Sequence, residues 1–164
     1  MKRKKNRMWC LFHLVLVAAT CHDYRARFSI SKVIDGDTVS FDVSSFMPVP
    51  LNTSLSVRVR GVDCPESGSR AKCPQEATLA SEATAFTKSM LDRYQVADTG
   101  IRICAWDKYG GRVLGDLIFW DDEQSTTTLS TSLISAGHAV EYSGRGVRQD
   151  WFLGTCSLDD ALDG

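Results

Sequence analysis

The sequence lacks the features of several common classes of protein. Its six cysteines include no pair with Cys-x-x-Cys spacing, which argues against a structural zinc site. Its N-terminal apolar run, residues 8–20, is thirteen residues long and is interrupted by His13, whereas a spanning helix needs about 17 to 25 residues. The sequence therefore favours neither a zinc module nor a permanently anchored membrane protein.

The sequence also lacks an excess of positive charge. It contains 19 Lys and Arg against 20 Asp and Glu. Five basic and no acidic residues lie in positions 1–19, so the rest of the chain has 14 basic against 20 acidic side chains, a net charge of −6. Because affinity for nucleic acid rises with the number of phosphates that Lys and Arg neutralise, any action on it must come from a local basic cleft or a bound cation.

The N-terminus has the pattern of an export signal. A basic cluster at residues 2–7 precedes the apolar run, and Ala18, Ala19 and Thr20 are small residues that suit a peptidase. We expect residues 1–20 to be a signal peptide of a secreted or periplasmic protein, with no membrane span left after processing. A lipid anchor on Cys21 is less favoured, because Thr20 fits a lipobox poorly.

The four cysteines of the body leave their pairing open. In an exported protein, Cys64, Cys73, Cys104 and Cys156 can form two disulfides in three ways. The short separation favours a bond between Cys64 and Cys73, and free thiols are the alternative. Cys10 is assigned to the leader.

Alternating apolar and polar residues predict five strands, at residues 28–34, 38–43, 55–62, 101–105 and 112–119. The pair Asp35-Gly36 predicts a tight hairpin between the first two strands.

Two helices are predicted among these strands. Residues 75–93 have apolar side chains at three- and four-residue spacings, which indicates a long helix after the third strand. Residues 127–136 predict a shorter helix that ends at Gly137. The expected fold is α+β, a five-stranded barrel of the oligonucleotide/oligosaccharide-binding (OB) type. It should cover residues 28–145 and be followed by a short tail, residues 146–164.

Carboxylates lie next to two of the predicted strand ends. Asp37 follows the hairpin glycine, and Asp63 follows the third strand. In an antiparallel meander these positions can share one rim, where two carboxylates repel unless a cation or a proton intervenes. Oxygen ligands suit a hard ion such as Ca²⁺ or Mg²⁺. Alone, the Asp-Gly-Asp segment is more typical of a soluble turn.

Three further charged residues could act at the same rim. Glu66 follows Pro65, and a carboxylate beside a metal-bound water can deprotonate it. Arg58 and Arg112 offer planar donor forks that match phosphate oxygens and would stabilise charge in a transition state. Each of the three alone is typical of an ordinary surface residue.

Aromatic and imidazole side chains are also present near the turns. Tyr109 and Tyr142 could stack on a base or bind a phosphate, or could simply pack at the rim. His138 is a candidate general base, but we assign it a structural role.

Four segments, in this order, resemble the staphylococcal nuclease, or thermonuclease, family. They are IDGDTV, RVRGVDCPE, EATAFTKSM and DKYGGRVLGDL, and the resemblance covers roughly residues 29–142. The resemblance implies a five-stranded barrel with helices. It also implies a Ca²⁺-dependent phosphodiesterase that acts on DNA and RNA with little sequence preference and leaves 3′-phosphate products. We expect the protein to be a monomer.

The resemblance implies roles for the same residues. The calcium ligands correspond to Asp37, Asp63 and the backbone carbonyl of Cys64. Glu66 matches the general base that acts on the attacking water. The phosphate-binding arginines and the tyrosines of the nucleotide pocket correspond to Arg58, Arg112, Tyr109 and Tyr142.

Three features depart from the family pattern. Cys64 stands where the family commonly has threonine, and Gly111 is one glycine more than the usual turn before Arg112 contains. The long basic C-terminal helix has no counterpart in residues 147–164. These departures keep a second hypothesis open, a catalytically weak OB-fold module that binds nucleic acid or a protein partner.

Overall fold

The computed structural model describes most of the chain between Thr20 and Trp151. The described residues are 20–25, 29–42, 54–94, 98–121, 125–146, 148 and 151. The predicted signal peptide, apart from its last residue, and most of the predicted tail lie outside them.

Within the described residues, seven strands form one mixed sheet. In chain order they are β1 His22–Tyr24, β2 Ser29–Asp35, β3 Thr38–Asp42, β4 Ser54–Val59, β6 Thr99–Trp106, β7 Arg112–Trp120 and β8 Thr126–Thr128. The order across the sheet is β1-β6-β7-β4-β3-β2, and β8 also pairs with β7. The paired strands are antiparallel except for β4 and β7, which run parallel. A separate two-stranded ladder joins β5 Val62–Asp63 to β9 Val140–Glu141.

The described residues also include two α-helices. Helix α1 is Pro74–Arg93, and α2 is Leu129–Ser135. Pro74 suits the first position of α1 because its fixed φ is helical and no N–H is lost there. Helix α2 begins with a capping box between Thr128 and Thr131, which satisfies backbone N–H groups at the helix start. No helix in the described segments combines the length and the apolar character that crossing a membrane requires.

The core lies between one face of the sheet and the two helices. In α1 one face is buried, with Ala80, Ala83, Thr87, Met90 and Leu91 at helical spacing. The sheet and α2 contribute Val39, Phe41, Val57, Val59, Val113, Leu117, Phe119, Leu129 and Leu133. Because side chains alternate along a strand, the burial of Val57 and Val59 turns Arg58 to the opposite face of β4.

The α+β class and both helices are confirmed, but the strand count and the closed barrel are not. The five longest strands, β2, β3, β4, β6 and β7, match the five predicted segments. The described residues contain four more strands of two or three residues each. Strands β1 and β9 were not predicted, because so few residues show no alternation. Strand β5 begins at Val62, which was predicted as the end of the third strand, and β8 includes Thr127 and Thr128, which were predicted as helix. The described residues form no closed barrel, since β1 and β2 end the order of the sheet.

Close packing, rather than a left-handed backbone, explains the glycine of the β2–β3 turn. Gly36 is not among the glycines with positive φ. A Cβ at Gly36 would lie 2.8 Å from the Cβ of Ala83 and 3.0 Å from the Sγ of Cys64. The hydroxyl of Thr87 donates a 2.6 Å hydrogen bond to the Gly36 carbonyl. Helix α1 therefore holds the turn that carries Asp37.

The cysteine pairing differs from the prediction. Cys21 and Cys104 form a disulfide, because the pairing of β1 with β6 places His22 opposite Ile103 and brings the neighbouring thiols together. Cys73 is also disulfide-bonded, whereas Cys64 is a free, buried thiol. The predicted bond between Cys64 and Cys73 is therefore wrong, since the Cys64 thiol packs against Gly36.

Candidate active site

Asp37 and Arg58 form the buried centre of the site. Asp37 is 1% exposed, and it ends the turn before β3, whose first residue, Thr38, pairs with Arg58. The Oδ1 atom of Asp37 accepts hydrogen bonds from Nη1 of Arg58 and, at 3.1 Å, from the hydroxyl of Thr38. Its Oδ2 atom accepts the backbone N–H of Cys64 at 3.2 Å. Both oxygens are thus held in place by donors.

Strand β5 places a second buried carboxylate beside the same arginine. Asp63 is 1% exposed, and it is fixed by pairing with Val140 of β9. Its Oδ1 atom lies 3.6 Å from Nη2 of Arg58. A single guanidinium group therefore bridges Asp37 and Asp63, two residues that the sequence predicted to share a rim.

Arg148 joins Glu66 to this pair. Its Nε atom lies 2.9 Å and 3.0 Å from the two carboxylate oxygens of Asp63. Its terminal nitrogens contact Asp63 Oδ1 and Glu66 Oε1. The other oxygen of Glu66 lies 2.7 Å from Nε of Arg70. The three predicted acids and Arg58 therefore belong to one connected network, which Arg148 completes.

A buried acid of α1 shapes the loop that carries Glu66. The two carboxylate oxygens of Glu76 accept the backbone N–H groups of Glu66 at 3.1 Å and of Lys72 at 2.7 Å. Glu76 is the third residue of α1, a position where acids commonly accept backbone N–H groups. The sequence reasoning missed Glu76, although an acid at this position after Cys73-Pro74 is a recognisable helix-start signal.

Arg112 lies on the same face of the sheet but outside the network. The parallel register of β4 and β7 places Arg112 opposite Ser56. Ser56 and Arg58 are two positions apart on β4, so their side chains lie on the same face. The Nε atom of Arg112 donates to Asp107 at 2.5 Å, and its guanidinium carbon lies 4.7 Å from the ring centre of Tyr109. The contacts found in the described structure do not join Arg112 to the three acids.

The additional glycine is accommodated in the turn before β7. Gly111 has a φ of 73°, a left-handed conformation that glycine adopts without strain. The N–H of Asp107 donates to the carbonyl of Arg112 at 3.0 Å, which closes the turn. Arg112 is therefore the first residue of β7, where the sequence predicted it.

The two predicted tyrosines lie in different surroundings. Tyr109 is 55% exposed, and the ammonium group of Lys108 lies 5.0 Å from its ring centre. Tyr142 donates its N–H to Gly61 at 2.9 Å and lines an open cavity of about 330 Å³ with Gly61 and Val62. His138 has its ring 4.9 Å from the ring of Phe86.

A cavity of about 220 Å³ adjoins the acid network. It is lined by Asp63, Glu66, Arg70, Lys72, Glu76, Arg148 and Trp151. Tyr142 lines the 330 Å³ cavity and is not among the residues that line this one.

Burial and neighbouring charges shift the pKa values of Asp37 and Glu66 in opposite directions. Burial raises the pKa of Asp37 to about 7; Arg58 opposes this rise, and the neighbouring carboxyl of Asp35 adds to it. Burial also acts to raise the pKa of Glu66, but the hydrogen bond from Arg148 and the charges of the nearby arginines outweigh it, so the net pKa is lowered. A carboxylate with a raised pKa is relieved by a proton or by an additional cation.

The donor set suits a hard cation that keeps some of its water ligands. Among the described residues, no three Asp, Glu, His or Cys side chains converge as a complete metal-binding cluster. Asp37 and Asp63, bridged by one guanidinium group, supply carboxylate oxygens, and hard divalent cations prefer oxygen and tolerate water in their coordination shell. The residues present therefore fit Ca²⁺ or Mg²⁺ as a partial protein ligand set.

The fold and the site together define an α+β domain. At one rim of its mixed sheet, two buried aspartates, Asp37 and Asp63, contact the partly exposed Arg58 and Arg148. The family model for staphylococcal nuclease homologues matches residues 56–151, more than half of the chain. The chain belongs to this family, which confirms the resemblance seen in the sequence. The match contains Arg58, Asp63, Glu66 and Arg148, whereas Asp37 precedes it. No curated protein matches the chain.

Proposed function

We propose that this protein is an exported, Ca²⁺-dependent nuclease that hydrolyses phosphodiester bonds of DNA and RNA with little sequence preference. The observation that carries the proposal is the linkage of Asp37, Asp63 and Glu66 through Arg58 and Arg148, in a chain of a nuclease family. Metal-assisted hydrolysis of a phosphodiester can use such a set, because two of the acids can bind a cation, the third can take a proton and the arginines can bind phosphate.

Asp37 and Asp63, with the backbone carbonyl of Cys64, would hold the cation. When bound, the ion supplies positive charge that offsets the acids and the scissile phosphate. Substitution of threonine by Cys64 is compatible with this role, because only the backbone of the residue is required. The Cys64 thiol is buried against Gly36.

Glu66 would take the proton from the attacking water. Its pKa is lowered by the arginines around it, so the side chain is ionised and able to accept a proton at neutral pH. As the bond from the water oxygen to phosphorus forms, the bond from phosphorus to the 5′ oxygen breaks, and the 5′ oxygen leaves as a hydroxyl group after it takes a proton from solvent. The phosphate therefore stays on the 3′ oxygen of the product.

Arg58 and Arg112 would bind the phosphate oxygens from neighbouring strands. Arg58 is already fixed beside both aspartates. Arg112 projects from the same face, but its Nε is hydrogen-bonded to Asp107. A substrate phosphate must therefore compete with Asp107 for this guanidinium group, whose planar fork suits either partner.

The β6–β7 connection supplies a local basic and aromatic surface despite the acidic net charge. Trp106 and Tyr109 are 69% and 55% exposed, and Lys108 and Arg112 lie against the Tyr109 ring. Exposed rings stack on unpaired bases, and the adjacent cations attract the phosphate backbone. These features favour single-stranded nucleic acid as the substrate that binds most tightly.

The disulfide between Cys21 and Cys104 supports export, because such bonds persist in oxidising compartments. It also favours release over lipid anchoring, since a lipidated Cys21 would have no thiol left for a disulfide. We therefore propose a secreted or periplasmic protein that is cleaved before Cys21, and we propose separately that it is a monomer.

The proposal is tested with the purified, disulfide-bonded protein and four substrates: single-stranded and duplex DNA, and single-stranded and duplex RNA. Cleavage that requires Ca²⁺, stops with chelator and leaves 3′-phosphate ends supports the proposal. Retention on DNA without cleavage would instead support the alternative of a catalytically weak binding module. Calcium-independent cleavage, or products with 5′-phosphate ends, would contradict the assigned chemistry.

A further inference from the structure

We propose that Arg148 is a positioning residue of the site, an internal counter-ion that competes with the divalent cation for Asp63. The inference rests on the proposed function. Its basis is that the guanidinium group of Arg148 contacts two acids with different proposed roles. Asp63 is a proposed ligand of the cation, and Glu66 is the proposed acceptor of the proton from water.

The contacts of Arg148 use the same oxygens that a cation would need. Nε of Arg148 approaches both oxygens of Asp63, at 2.9 Å and 3.0 Å, and Nη2 contacts Oδ1 as well. A cation bound to these oxygens would lie next to the guanidinium group, where like charges repel strongly in a buried site. Cation binding therefore requires Arg148 to move away from Asp63.

The two partners differ in how freely they can move. Asp63 is 1% exposed and is fixed in the β5–β9 ladder. The side chain of Arg148 is 41% exposed, so it can turn towards solvent without opening the core. Arg58 has less freedom, because its side chain is 22% exposed and it contacts Asp37 as well. Arg148 is therefore the positively charged side chain that an incoming divalent cation would displace.

Before the metal binds, Arg148 also stabilises the arrangement of the acids. A buried carboxylate without a counter-ion is strongly unfavourable, and Arg148 supplies Asp63 with a second counter-ion that lies closer than Arg58. Its second contact holds Glu66 beside Asp63 at the edge of the 220 Å³ cavity. Arg148 therefore lowers the affinity for the cation, but in the absence of the cation it holds Asp63 and Glu66 close together.

The experiment measures calcium binding by the full-length mature protein without substrate, by titration calorimetry, in wild type, Arg148→Gln and Arg145→Gln. Arg145→Gln is the matched control, because it removes the same charge from an exposed residue nearby. We expect Arg148→Gln to bind Ca²⁺ at least about tenfold more tightly than wild type, whereas Arg145→Gln binds like wild type.

Thermal unfolding gives a second readout. In chelator, Arg148→Gln should unfold at a lower temperature than wild type, and saturating Ca²⁺ should raise its midpoint by more than it raises that of wild type. Arg148→Lys keeps the charge without the bidentate fork, so its affinity for Ca²⁺ should lie between those of wild type and Arg148→Gln. This variant decides the matter if Arg148→Gln does not fold in chelator.

The outcomes separate this inference from the proposed function. Equal or weaker Ca²⁺ binding by both Arg148 variants, in an enzyme whose wild type requires Ca²⁺, would overturn the competition alone. Tighter binding by Arg145→Gln as well would show a general charge effect and would also overturn it. Failure of the wild type and every variant to bind Ca²⁺ would overturn the proposed metal dependence, and the inference with it.

Discussion

The backbone N–H of Cys64 donates a hydrogen bond to Oδ2 of Asp37 at 3.2 Å, across 27 positions of sequence. This bond connects the β2–β3 turn to the end of β5 without using the side chain of residue 64. It explains how a cysteine can occupy the position whose backbone carbonyl is a proposed cation ligand, because every residue except proline supplies the same N–H group.

The first prediction follows from this bond. Cys64→Ala should leave calcium affinity and cleavage rate within about threefold of wild type and lower stability by about 1 kcal/mol, since a buried thiol is lost but the N–H remains. Calorimetry and denaturant unfolding measure the two quantities. A large loss of calcium affinity would show that the Cys64 side chain takes part in the site.

The second prediction concerns the packing of the turn against α1. Gly36→Ala places a Cβ 2.8 Å from Ala83, so it should destabilise the protein by about 1–3 kcal/mol and weaken calcium binding by displacing Asp37. Gly110→Ala is the matched control, because a Cβ there meets nothing within 4 Å. Similar stability and affinity in both variants would exclude the close approach of α1 as the constraint on Asp37.

The third prediction concerns the buried acid that holds the loop of Glu66. Glu76→Gln should lower stability by about 1–3 kcal/mol, because one of the N–H groups of Glu66 and Lys72 then faces an NH₂ group instead of an acceptor. It should also reduce kcat more than it changes KM, since Glu66 loses its position. Glu82→Gln, on the exposed side of α1, should change neither quantity. An unchanged kcat in Glu76→Gln would show that the position of the loop that carries Glu66 does not affect the chemical step.

Much of the fold can be predicted from periodicity, because long elements repeat their pattern. Helix α1 and strands β2, β3, β4, β6 and β7 contain enough turns or alternations for their positions to be predicted within a few residues. The proximity of Asp37 and Arg58 was also predictable, since it follows from the antiparallel pairing of consecutive strands. Asp63 was predicted at the same rim, but the ladder of β5 with β9 that holds it there was not predicted. The roles of these residues stay predictions.

The parts that could not be predicted depend on contacts between distant residues. Arg148 reaches Asp63 across 85 positions of sequence, and the disulfide joins cysteines 83 positions apart. No local pattern encodes either contact, and Arg148 lies in residues 146–164, which the sequence predicts to be a short tail. The close packing at Gly36 was not predicted for the same reason, because its constraint comes from α1 and not from its own φ.

The fourth prediction concerns pH. Asp37 has a pKa raised from 3.8 to about 7, so its protonated form favours the folded state. The stability that protonation of Asp37 contributes is fully present below 3.8, the pKa of this group in the unfolded chain. That stability is lost as the pH rises through about 7, the pKa in the folded protein. In chelator, wild-type stability should therefore fall between pH 4 and 8 by on the order of 2–4 kcal/mol relative to Asp37→Asn.

Unfolding by denaturant at a series of pH values measures this difference, and effects of Asp37→Asn that do not depend on pH cancel in it. Saturating Ca²⁺ should abolish the fall in wild type, because a cation favours the ionised carboxylate. Parallel stability curves for the two proteins in chelator would show that Asp37 does not titrate in this range.

The most direct test of the central claim compares Glu66→Gln with Asp63→Asn in parallel measurements of calcium affinity and of cleavage of single-stranded DNA. Glu66→Gln should still bind Ca²⁺ but lose about 10²- to 10⁴-fold in kcat, the range for loss of a general base. Asp63→Asn should lose calcium affinity as well as cleavage. Cleavage by Glu66→Gln at the wild-type rate, or wild-type calcium affinity in Asp63→Asn, would contradict the account.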